Sequence, residues 1–415
     1  MKKLSICMFA IVSFICACTE TEMWNEKMNS KSISDDVTIE AVKKSAMDFI
    51  NDLKPITRGE SFDIASVYAW RSADAFSTSR VNGEEELPDT ALYIVNFTNN
   101  NGYLLLSAVD PAHEVVAYVE EGNMTPNRTI DNPGFKLFLE GLKEHITRFD
   151  PVGPGVPDTT LITMDTTQVG IGPTPAYGYE WRIDSMAPKL LSTKWGQFYP
   201  YNMYCFTNTG EQAVAGCVAI AGAQLMAYYQ YPSSYNNHIY YWNNILDGEE
   251  PVSALGKESV ARLVNDIGVL IFTQYGVNGS SAHAYDLANC WNNMGYTYQY
   301  YAPYDYESCV QEFRHFRPVV MKGERENNIG HCWVIDGFIA RSLWVIRQYS
   351  QHVVMRQNLV HCNWGWNGQQ NGYFLHNAFN TANQILTDSL TAPGTSNINR
   401  NYDHALYVFY GVKPL

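Results

Sequence analysis

Three short segments of the sequence carry residue types that together attack carbonyl groups. In Ala215–Ala221, Cys217 follows a glycine at the head of an apolar run. Gly330–Phe338 supplies His331 as a candidate base, and Asn363–Gly368 supplies a side chain to hold that base. A thiolate beside an imidazolium is nucleophilic at neutral pH and needs neither metal nor cofactor. The three segments therefore predict cysteine-based nucleophilic catalysis.

Cys217 is predicted to lie in the first turn of a buried helix, because apolar residues recur at helical spacing between Val218 and Pro232. A helix N-terminus favours a thiolate, and a nearby protonated histidine favours it further. Gly216 leaves room for a substrate backbone, and the backbone N–H of Cys217 is available to an oxyanion. The alternative is a small buried core cysteine.

Three further side chains complete the predicted site. Asn363 can accept the imidazole N–H of His331 and fix its tautomer, while the Trp364 indole can shield that pair from water. Gln197 precedes Cys217 by twenty residues, and its amide can serve as a second oxyanion donor. The alternatives are a hydrogen-bonded structural histidine and a glycine–tryptophan turn in a sheet.

Two His-Cys pairs, at residues 331–332 and 361–362, raise the alternative of a metal site. Adjacent side chains on a strand face opposite sides of the sheet, so one pair is poorly placed to supply two ligands. The sequence also lacks a CxxC pair, which argues against structural zinc. We therefore expect a site without metal and without cofactor.

The net charge of −14, without a basic stripe, argues against nucleic-acid partners. The length of 415 residues favours more than one domain. Residues 38–148 are predicted to form a small α+β unit that contains no evident set of catalytic residues. Residues 149–180 contain five prolines mixed with glycine and threonine, which predicts an exposed linker, and residues 181–415 form the catalytic half. In the first half we predict a helix ending before Pro55, strands over 64–70, 91–97, 103–108 and 115–119, a hairpin turn at 99–102, and a helix from Pro133.

Residues 1–18 are predicted to be a signal segment. Met1–Lys3 is basic, and the apolar stretch that follows is too short to span a bilayer. Small residues before Cys18 resemble a lipobox, in which the cysteine is lipidated. The predicted localisation is therefore export, either to the cell envelope or outer surface as a lipoprotein or into the medium after processing. Membrane contact is expected only through this lipid, and the alternative is an ordinary secretory peptide.

In combination these segments resemble the streptopain family of papain-like cysteine peptidases, over residues 38–415. The resemblance implies an α+β protein, with a papain-like catalytic fold of a helical and a β-rich subdomain preceded by an inhibitory pro-domain. The matching segments are Lys194–Gln197 for the oxyanion glutamine, Gly216–Ala219 for the nucleophile helix, Gly330–His331 for the histidine motif, Asn363–Trp366 for the tryptophan motif, and Tyr93–Phe97 with Gly102–Ser107 for the pro-domain.

Substrate contacts are expected at three positions. Ser281 lies in a segment that resembles the substrate-binding loop of the family, while Gly216 and Gly330 adjoin the catalytic pair. The implied function is a cysteine endopeptidase made as a zymogen. It would act on protein or peptide substrates, with its own pro-domain as an intramolecular inhibitor. The alternatives are a thiol acyltransferase or transglutaminase-like enzyme that uses the same pair, and a catalytically dead surface-binding protein.

The sequence departs from the family pattern in one region. Twenty-five residues separate Gly337 from Asn363, which predicts a longer hairpin than the family norm. Cys332 and Cys362 flank the catalytic positions, where a thiol is either inert packing or an oxidation liability. The hydrogen bond between His331 and Asn363 is therefore a weaker expectation than the pairing of Cys217 with His331.

Overall fold

The computed structural model describes residues 33–53, 62–71, 90–108, 114–147, 176–324, 330–347, 350–379 and 406–415. The predicted signal segment, Cys18 and residues 149–175 of the predicted linker lie outside the described residues. Among the helices of the described ranges, none combines the length and apolar character needed to cross a membrane.

The N-terminal half has the elements that the sequence predicts. They are α1 (Ile33–Asp52), β1 (Ile64–Arg71), β2 (Thr90–Phe97), β3 (Tyr103–Ser107), β4 (Val115–Val119) and α2 (Pro133–Thr147). Asn99 and Asn100 adopt positive φ between β2 and β3, which confirms the predicted hairpin turn. Helix α2 begins at Pro133, whose missing N–H would have no helical partner there. The side chain of Asn132 caps this helix by accepting hydrogen bonds from the Gly134 and Phe135 amides at 3.0 and 3.2 Å.

The C-terminal half follows with helices on both faces of a long β-structure. Its elements are β5 (Ala176–Ala187), α3 (Cys217–Tyr229), β6 (Ser234–Tyr235), β7 (His238–Ile239), α4 (Trp242–Ile245), α5 (Ala254–Leu270), α6 (Leu287–Asn293), β8 (Tyr296–Thr297), β9 (Tyr300–Pro303), α7 (Tyr306–Arg314), β10 (Val319–Glu324), β11 (Gly330–Arg347), β12 (Gln351–Asn363), β13 (Gly372–Leu375), β14 (Tyr407–Tyr410) and β15 (Lys413–Pro414). Short 3-10 turns occupy 98–100, 284–286 and 376–379.

Strands β11 and β12 form the long hairpin that the sequence predicts, paired from Val334 with Asn363 to Ile346 with Gln351. Strand β5 pairs with the distal part of β11, while β10 pairs with its proximal part. The predicted linker ended at residue 180, whereas β5 already begins at Ala176. The difference arises because residues 176–180 pair with the tip of the hairpin, a long-range contact without a local sequence signal.

One sheet of eleven strands runs through both halves of the chain, in the order β1-β2-β3-β4-β13-β12-β11-β10-β14-β9, with β5 also paired to β11. The two halves join where β4 pairs with β13, from Gly372 opposite Val119 to Phe374 opposite Ala117. A Cβ on Gly372 would lie 2.0 Å from the carbonyl oxygen of Tyr118, so this close junction requires glycine.

Three clusters of buried apolar residues cover the sheet. The first lies under α2 and α7 and contains Trp333 and Trp364, and the second lies under α3, α5 and α6 and contains Val334. The third packs α1 on the strands near the junction. Neighbouring residues of β11 enter different clusters because side chains alternate along a strand. Trp333 and Val334 therefore mark the two faces of the sheet at the site.

Candidate active site

Cys217 is the first residue of α3, as the sequence predicts. Gly216 precedes it with φ of +90°, a conformation that glycine adopts readily. The side chain of Cys217 is partly exposed, whereas residues 218–227 of the helix are buried. A shallow depression beside Cys217 is lined by Gly216, Cys217, Val218, Ala219, Thr273, Ser280, Ser281 and Ala282. Two of the three predicted substrate contacts, Gly216 and Ser281, thus lie beside the candidate nucleophile.

Gln197 is brought close to the nucleophile through its backbone. Its carbonyl oxygen accepts a hydrogen bond from the Ala215 amide at 2.9 Å, two residues before Cys217. Gln197 is buried. This places the segment that carries the predicted oxyanion donor alongside the start of α3.

His331 lies on the opposite face of β11 from Cys217. Its ring stacks on Trp333 with 5.9 Å between centroids, and its Nε2 donates to the Trp364 carbonyl oxygen at 2.8 Å. Both tryptophans belong to the first apolar cluster. Cys332, the next residue, belongs to the second cluster, against which Cys217 packs. The pleat of β11 therefore separates the two members of the predicted catalytic pair.

The electrostatics of both groups fit an unassembled pair. Burial raises the pKa of the Cys217 thiol, opposed by hydrogen bonds with the backbone of Cys332 and Val218. Burial also lowers the pKa of His331 to about 4, opposed by its hydrogen bond to the Trp364 carbonyl. At neutral pH this arrangement contains a thiol and a neutral imidazole, not a thiolate and an imidazolium.

Helix α2 of the N-terminal half holds His331 in this position. A Cβ on Gly134 would lie 2.2 Å from Cε3 of Trp364 and 2.9 Å from Cδ2 of His331. Asn132 fastens the same end of α2 by donating to the Gln369 carbonyl oxygen at 2.8 Å. The start of α2 is therefore packed against the candidate base at a position where only glycine fits.

Asn363 lies on the face of the sheet that faces α3, away from His331. Its Oδ1 accepts from Gln224 Nε2 and the Gly365 amide, both at 3.2 Å, and its Nδ2 donates to the Thr193 carbonyl oxygen at 2.6 Å. The structure thus differs from the expected hydrogen bond between Asn363 and His331. The physical reason is the pleat: His331 pairs with Gly323 as part of β11 and so faces the first cluster.

The two remaining predicted residues also differ from expectation. Trp364 is fully buried, and it meets His331 through its backbone carbonyl while its indole contacts the Trp333 ring at 5.2 Å between centroids. Gly330 is exposed at the start of β11, where it pairs with Glu324, and it does not line the depression beside Cys217.

Sequence reasoning gave no role to Gln224. This fully buried side chain lies seven residues after Cys217 and so on the same face of α3. Its Oε1 accepts from Thr193 Oγ1 at 3.0 Å and from the Trp195 amide at 3.3 Å, while its Nε2 reaches Asn363. Gln224 thereby fixes α3, Asn363 and the segment leading to Gln197 relative to one another. An uncharged polar residue in an apolar helix was the available signal.

The sequence singled out His361 only as part of a His-Cys pair and did not indicate its carboxylate partners. His361 Nδ1 lies 2.5 Å from Asp336 Oδ1, and its Nε2 lies 3.6 Å from Oε2 of Glu120, a residue of the N-terminal half. Despite burial, Asp336 and Glu120 raise the pKa of His361 to about 9. Burial opposes ionisation of Glu120, but His361 and Lys189 together lower its pKa to about 2. The result is a buried, charged group on β11 and β12.

Within the described part of the chain, no group of three or more His, Cys, Asp or Glu residues could hold a metal ion. The six described cysteines are free thiols: Cys205, Cys217, Cys290, Cys309, Cys332 and Cys362.

Comparison with known proteins gives consistent matches along the chain. Residues 195–374 match the Peptidase C10 family, and residues 34–146 match the Spi protease inhibitor family. Streptopain of Streptococcus pyogenes is 25% identical over 389 residues, which covers 81% of this chain and 84% of streptopain. Thiol protease/hemagglutinin PrtT of Porphyromonas gingivalis is 21% identical over 373 residues, which covers 79% of this chain and 39% of that protein.

A solved structure shows the same fold. The prointerpain A fragment of Prevotella intermedia superimposes with a TM-score of 0.51 at 24% identity, covering 80% of this chain and 100% of that one. The predicted fold, a papain-like α+β catalytic region behind a pro-domain, is thereby confirmed. Residues 195–374 therefore carry a streptopain-like cysteine peptidase domain of the Peptidase C10 type, and residues 34–146 an N-terminal pro-domain of the Spi inhibitor type.

Proposed function

We propose that the chain is the zymogen of a cysteine endopeptidase in which Cys217 is the nucleophile and His331 the general base. The observation that carries this proposal is the contact of Gly134 with His331 and Trp364. It packs a helix of the inhibitor-type half directly on the candidate base, on the opposite face of β11 from the candidate nucleophile. Such a contact accounts for latency without any loss of catalytic side chains.

Activation then requires His331 to change faces. Once α2 withdraws, the first residues of β11 lose the packing that keeps the imidazole against Trp333 and Trp364. Turning His331 toward α3 brings it to the side of Cys217 and Asn363. There the imidazole takes the thiol proton, and the resulting imidazolium stabilises the thiolate. The Asn363 carbonyl, now held by Gln224, becomes available to the imidazolium N–H.

The chemistry follows from that pair. The thiolate attacks the scissile carbonyl carbon, and the oxygen takes up the negative charge between the Cys217 amide and the Gln197 side chain. The imidazolium gives its proton to the departing amine as the C–N bond breaks, leaving a thioester on Cys217. Water, deprotonated by His331, then hydrolyses the thioester and regenerates the thiol. The open side at Gly216 and the Ser281 loop would receive the extended backbone of the substrate.

The activating cut is proposed to fall between residue 150 and Ala176. Strand β5 begins at Ala176 and is hydrogen-bonded along β11 as far as Ala187. A peptidase needs a backbone that is not already paired, so residues within β5 are poor sites. After the cut, β5 would remain on the hairpin as the N-terminus of the mature enzyme.

Export and lipidation belong to the same proposal and rest on the sequence of residues 1–18. A basic start, a short apolar stretch and small residues before Cys18 are the support. The full-length chain should partition into detergent, and Cys18→Ser should move it to the aqueous phase. Unchanged partitioning of the Cys18→Ser chain would replace the lipoprotein with simple secretion.

The function is tested by incubating the purified full-length chain and following its mass and its hydrolysis of a peptide substrate. The wild-type chain should convert to a fragment that starts between residues 150 and 176, with hydrolysis rising in parallel. Cys217→Ala should stay intact and inactive, while the neighbouring Cys332→Ala serves as a matched thiol control. Conversion or hydrolysis by purified Cys217→Ala would refute the proposed nucleophile. New isopeptide bonds in place of free carboxylates would indicate acyl transfer instead.

A further inference from the structure

Two consecutive carboxylates at the end of β4 meet cations of the catalytic half. Glu120 forms an ion pair with Lys189 and lies 3.6 Å from Nε2 of His361. Glu121 forms an ion pair with Lys194. The pro-domain thus presents an acidic dipeptide to the catalytic half at the point where the two halves share the sheet.

The catalytic side of the Glu120 contact is a built site. His361 is 1% exposed, and Asp336, which holds its Nδ1, is 0% exposed. The other carboxylate oxygen of Asp336 accepts from the Leu190 and Leu191 amides at 2.9 and 2.7 Å. These bonds fix both the imidazolium and the segment that carries Lys189. The cationic groups are therefore positioned by the catalytic half itself, not by the pro-domain.

The charges of this group balance only when the pro-domain is present. Asp336 compensates the charge of His361, which leaves the charge of Lys189 for Glu120. The buried cation of this group is His361, with a side chain 2% exposed, whereas the Lys189 side chain is 37% exposed and can be solvated. Loss of Glu120 is therefore costly mainly at His361, because a buried charge that loses a partner cannot be solvated instead. Without Glu120, the catalytic half would retain a cationic site beside a buried imidazolium.

The junction also contains apolar packing, such as Phe138 of α2 against Phe374 of β13 at 4.8 Å between ring centroids, and a hydrogen bond from the uncharged Gln357 side chain to Glu114 at 2.6 Å. Apolar contacts add affinity with little selectivity, whereas a desolvated charge pair fixes register and rejects partners that lack the charge. Glu120 is a pro-domain carboxylate whose partner on the catalytic half, His361, is both cationic and buried. Glu121 is less suited, because it is 57% exposed and shares Lys194 with Glu249 of the catalytic half.

We propose that Lys189 and His361 form a carboxylate-binding site through which the catalytic half retains its own cut pro-domain, with Glu120 as the ligand. This inference rests on the proposed zymogen function. It adds that cutting the chain is insufficient for activation, because Glu120 must also leave its site. Its position supports this role: Asp336 and His361 lie on the strands that carry His331 and Asn363. Holding Glu120 therefore holds Gly134 of α2 near the candidate base.

The test uses the full-length Cys217→Ala chain with a recognition sequence for a specific protease placed within residues 150–175. After cutting, release of the pro-domain from the immobilised catalytic half is timed at moderate salt. Glu120→Gln keeps the shape and removes the charge. Glu40→Gln is the matched control, because Glu40 is an exposed pro-domain residue whose ion-pair partner, Lys43, also belongs to the pro-domain.

We expect Glu120→Gln to speed release at least about 30-fold, since removing a carboxylate beside the buried His361 acts mainly on dissociation. Lys189→Gln should speed release less, because its side chain is 37% exposed, Glu121→Gln should change release less than about fivefold, and Glu40→Gln should not change it. The double variant Glu120→Gln/Lys189→Gln should fall short of the product of the single effects, because the two charges share one interaction.

The melting temperature of the uncut chain reports whether each variant folds. If Glu120→Gln or Lys189→Gln fails to fold, the other single variant still tests the proposed carboxylate site. Release from Glu120→Gln or Lys189→Gln no faster than from Glu40→Gln would overturn the proposed site. The readout does not depend on catalysis. A failure of the peptidase assay with intact retention would contradict the proposed function and leave the carboxylate site standing.

Discussion

Two histidines on neighbouring strands, His331 on β11 and His361 on β12, are both almost fully buried and both near the pro-domain, yet their pKa values move in opposite directions. Burial lowers the pKa of His331 to about 4, with a backbone carbonyl as its polar partner. Asp336 and Glu120 raise the pKa of His361 to about 9 against the same desolvation. The presence or absence of carboxylates decides the sign.

The difference shows that the pro-domain treats the two histidines in different ways. At His331 it offers the start of α2, an apolar contact that favours a neutral imidazole and so an inactive pair. At His361 the pro-domain places Glu120, whose carboxylate forms an ion pair with the imidazolium. In the proposed zymogen, latency thus depends on the contact at Gly134 and affinity on Glu120, fourteen residues earlier in the pro-domain.

The largest effect is expected from removing the neutral histidine. His331→Ala, cut by an added protease and freed of its pro-domain, should lose peptide hydrolysis by about 10⁴-fold or more, because nucleophile and base act as a unit. The measurement is kcat/KM on a peptide substrate, with the wild-type chain treated identically. Near-normal turnover by His331→Ala would move the role of base to another residue.

A smaller effect is expected from the oxyanion donor, which depends on neither histidine. Gln197→Ala should lower kcat by about 10²–10³-fold and change KM little, since its amide serves the transition state more than the bound substrate. The pH dependence should keep the wild-type shape. Steady-state kinetics of the mature enzyme measure this, and a full kcat with raised KM would make Gln197 a substrate contact only.

The contact of α2 with His331, which is proposed to keep the zymogen inactive, can be weakened at Gly134. An added methyl group would lie 2.2 Å from the Trp364 ring, and such overpacking costs about 1–3 kcal/mol. Gly134→Ala should therefore push α2 from His331 and speed the onset of self-cleavage about tenfold. Gly178→Ala, where a Cβ meets nothing within 4 Å, is the control. Equal onset in the two variants would show that α2 does not restrain the base.

The two histidines should also make the zymogen less stable at opposite ends of the pH range, His361 at high pH and His331 at low pH. The raised pKa of His361 means that its stabilisation is complete below 6.5 and is lost as pH rises through about 9. The groups that face it are Asp336, Glu120 and the Tyr373 ring, with Lys189 beyond Glu120. Urea unfolding of the Cys217→Ala chain should show a loss of about 3 kcal/mol across this range. In a His361→Gln variant, stability should not show this fall between pH 6.5 and about 9.

The lowered pKa of His331 acts at the acidic side. Between pH 6.5 and 4 the unfolded chain binds a proton that the folded zymogen refuses, so stability falls as pH drops through this window. Trp333, Trp364 and Gly134 face the ring, and none of them titrates. In His331→Phe, the stability of the zymogen should no longer fall as the pH drops from 6.5 to about 4.5. Glu120 is still ionised in this range. An unchanged slope in that variant would place the titrating group elsewhere.

Local features of the site were readable from the sequence, and long-range ones were not. The start of α3 at Cys217 follows from a glycine and an apolar run, and the start of α2 follows from Pro133. The pairing of β4 with β13 and the contact of Gly134 with His331 join residues far apart in the chain, for which local periodicity carries no signal. The described structure differs from the expected bond between Asn363 and His331 for the same reason, since pairing with β10 decides which face His331 takes.

If the pro-domain keeps Cys217 and His331 apart, the Cys217 thiol of the intact chain should react slowly with an alkylating reagent. Alkylation of Cys217 by iodoacetamide at pH 6 can be timed by mass spectrometry for the intact chain and the mature fragment in one sample. The mature form should react at least about 100-fold faster, and a mature His331→Ala form should stay slow, because only a paired thiol is ionised at that pH. Equal rates for the intact and mature chains would contradict this separation of Cys217 from His331.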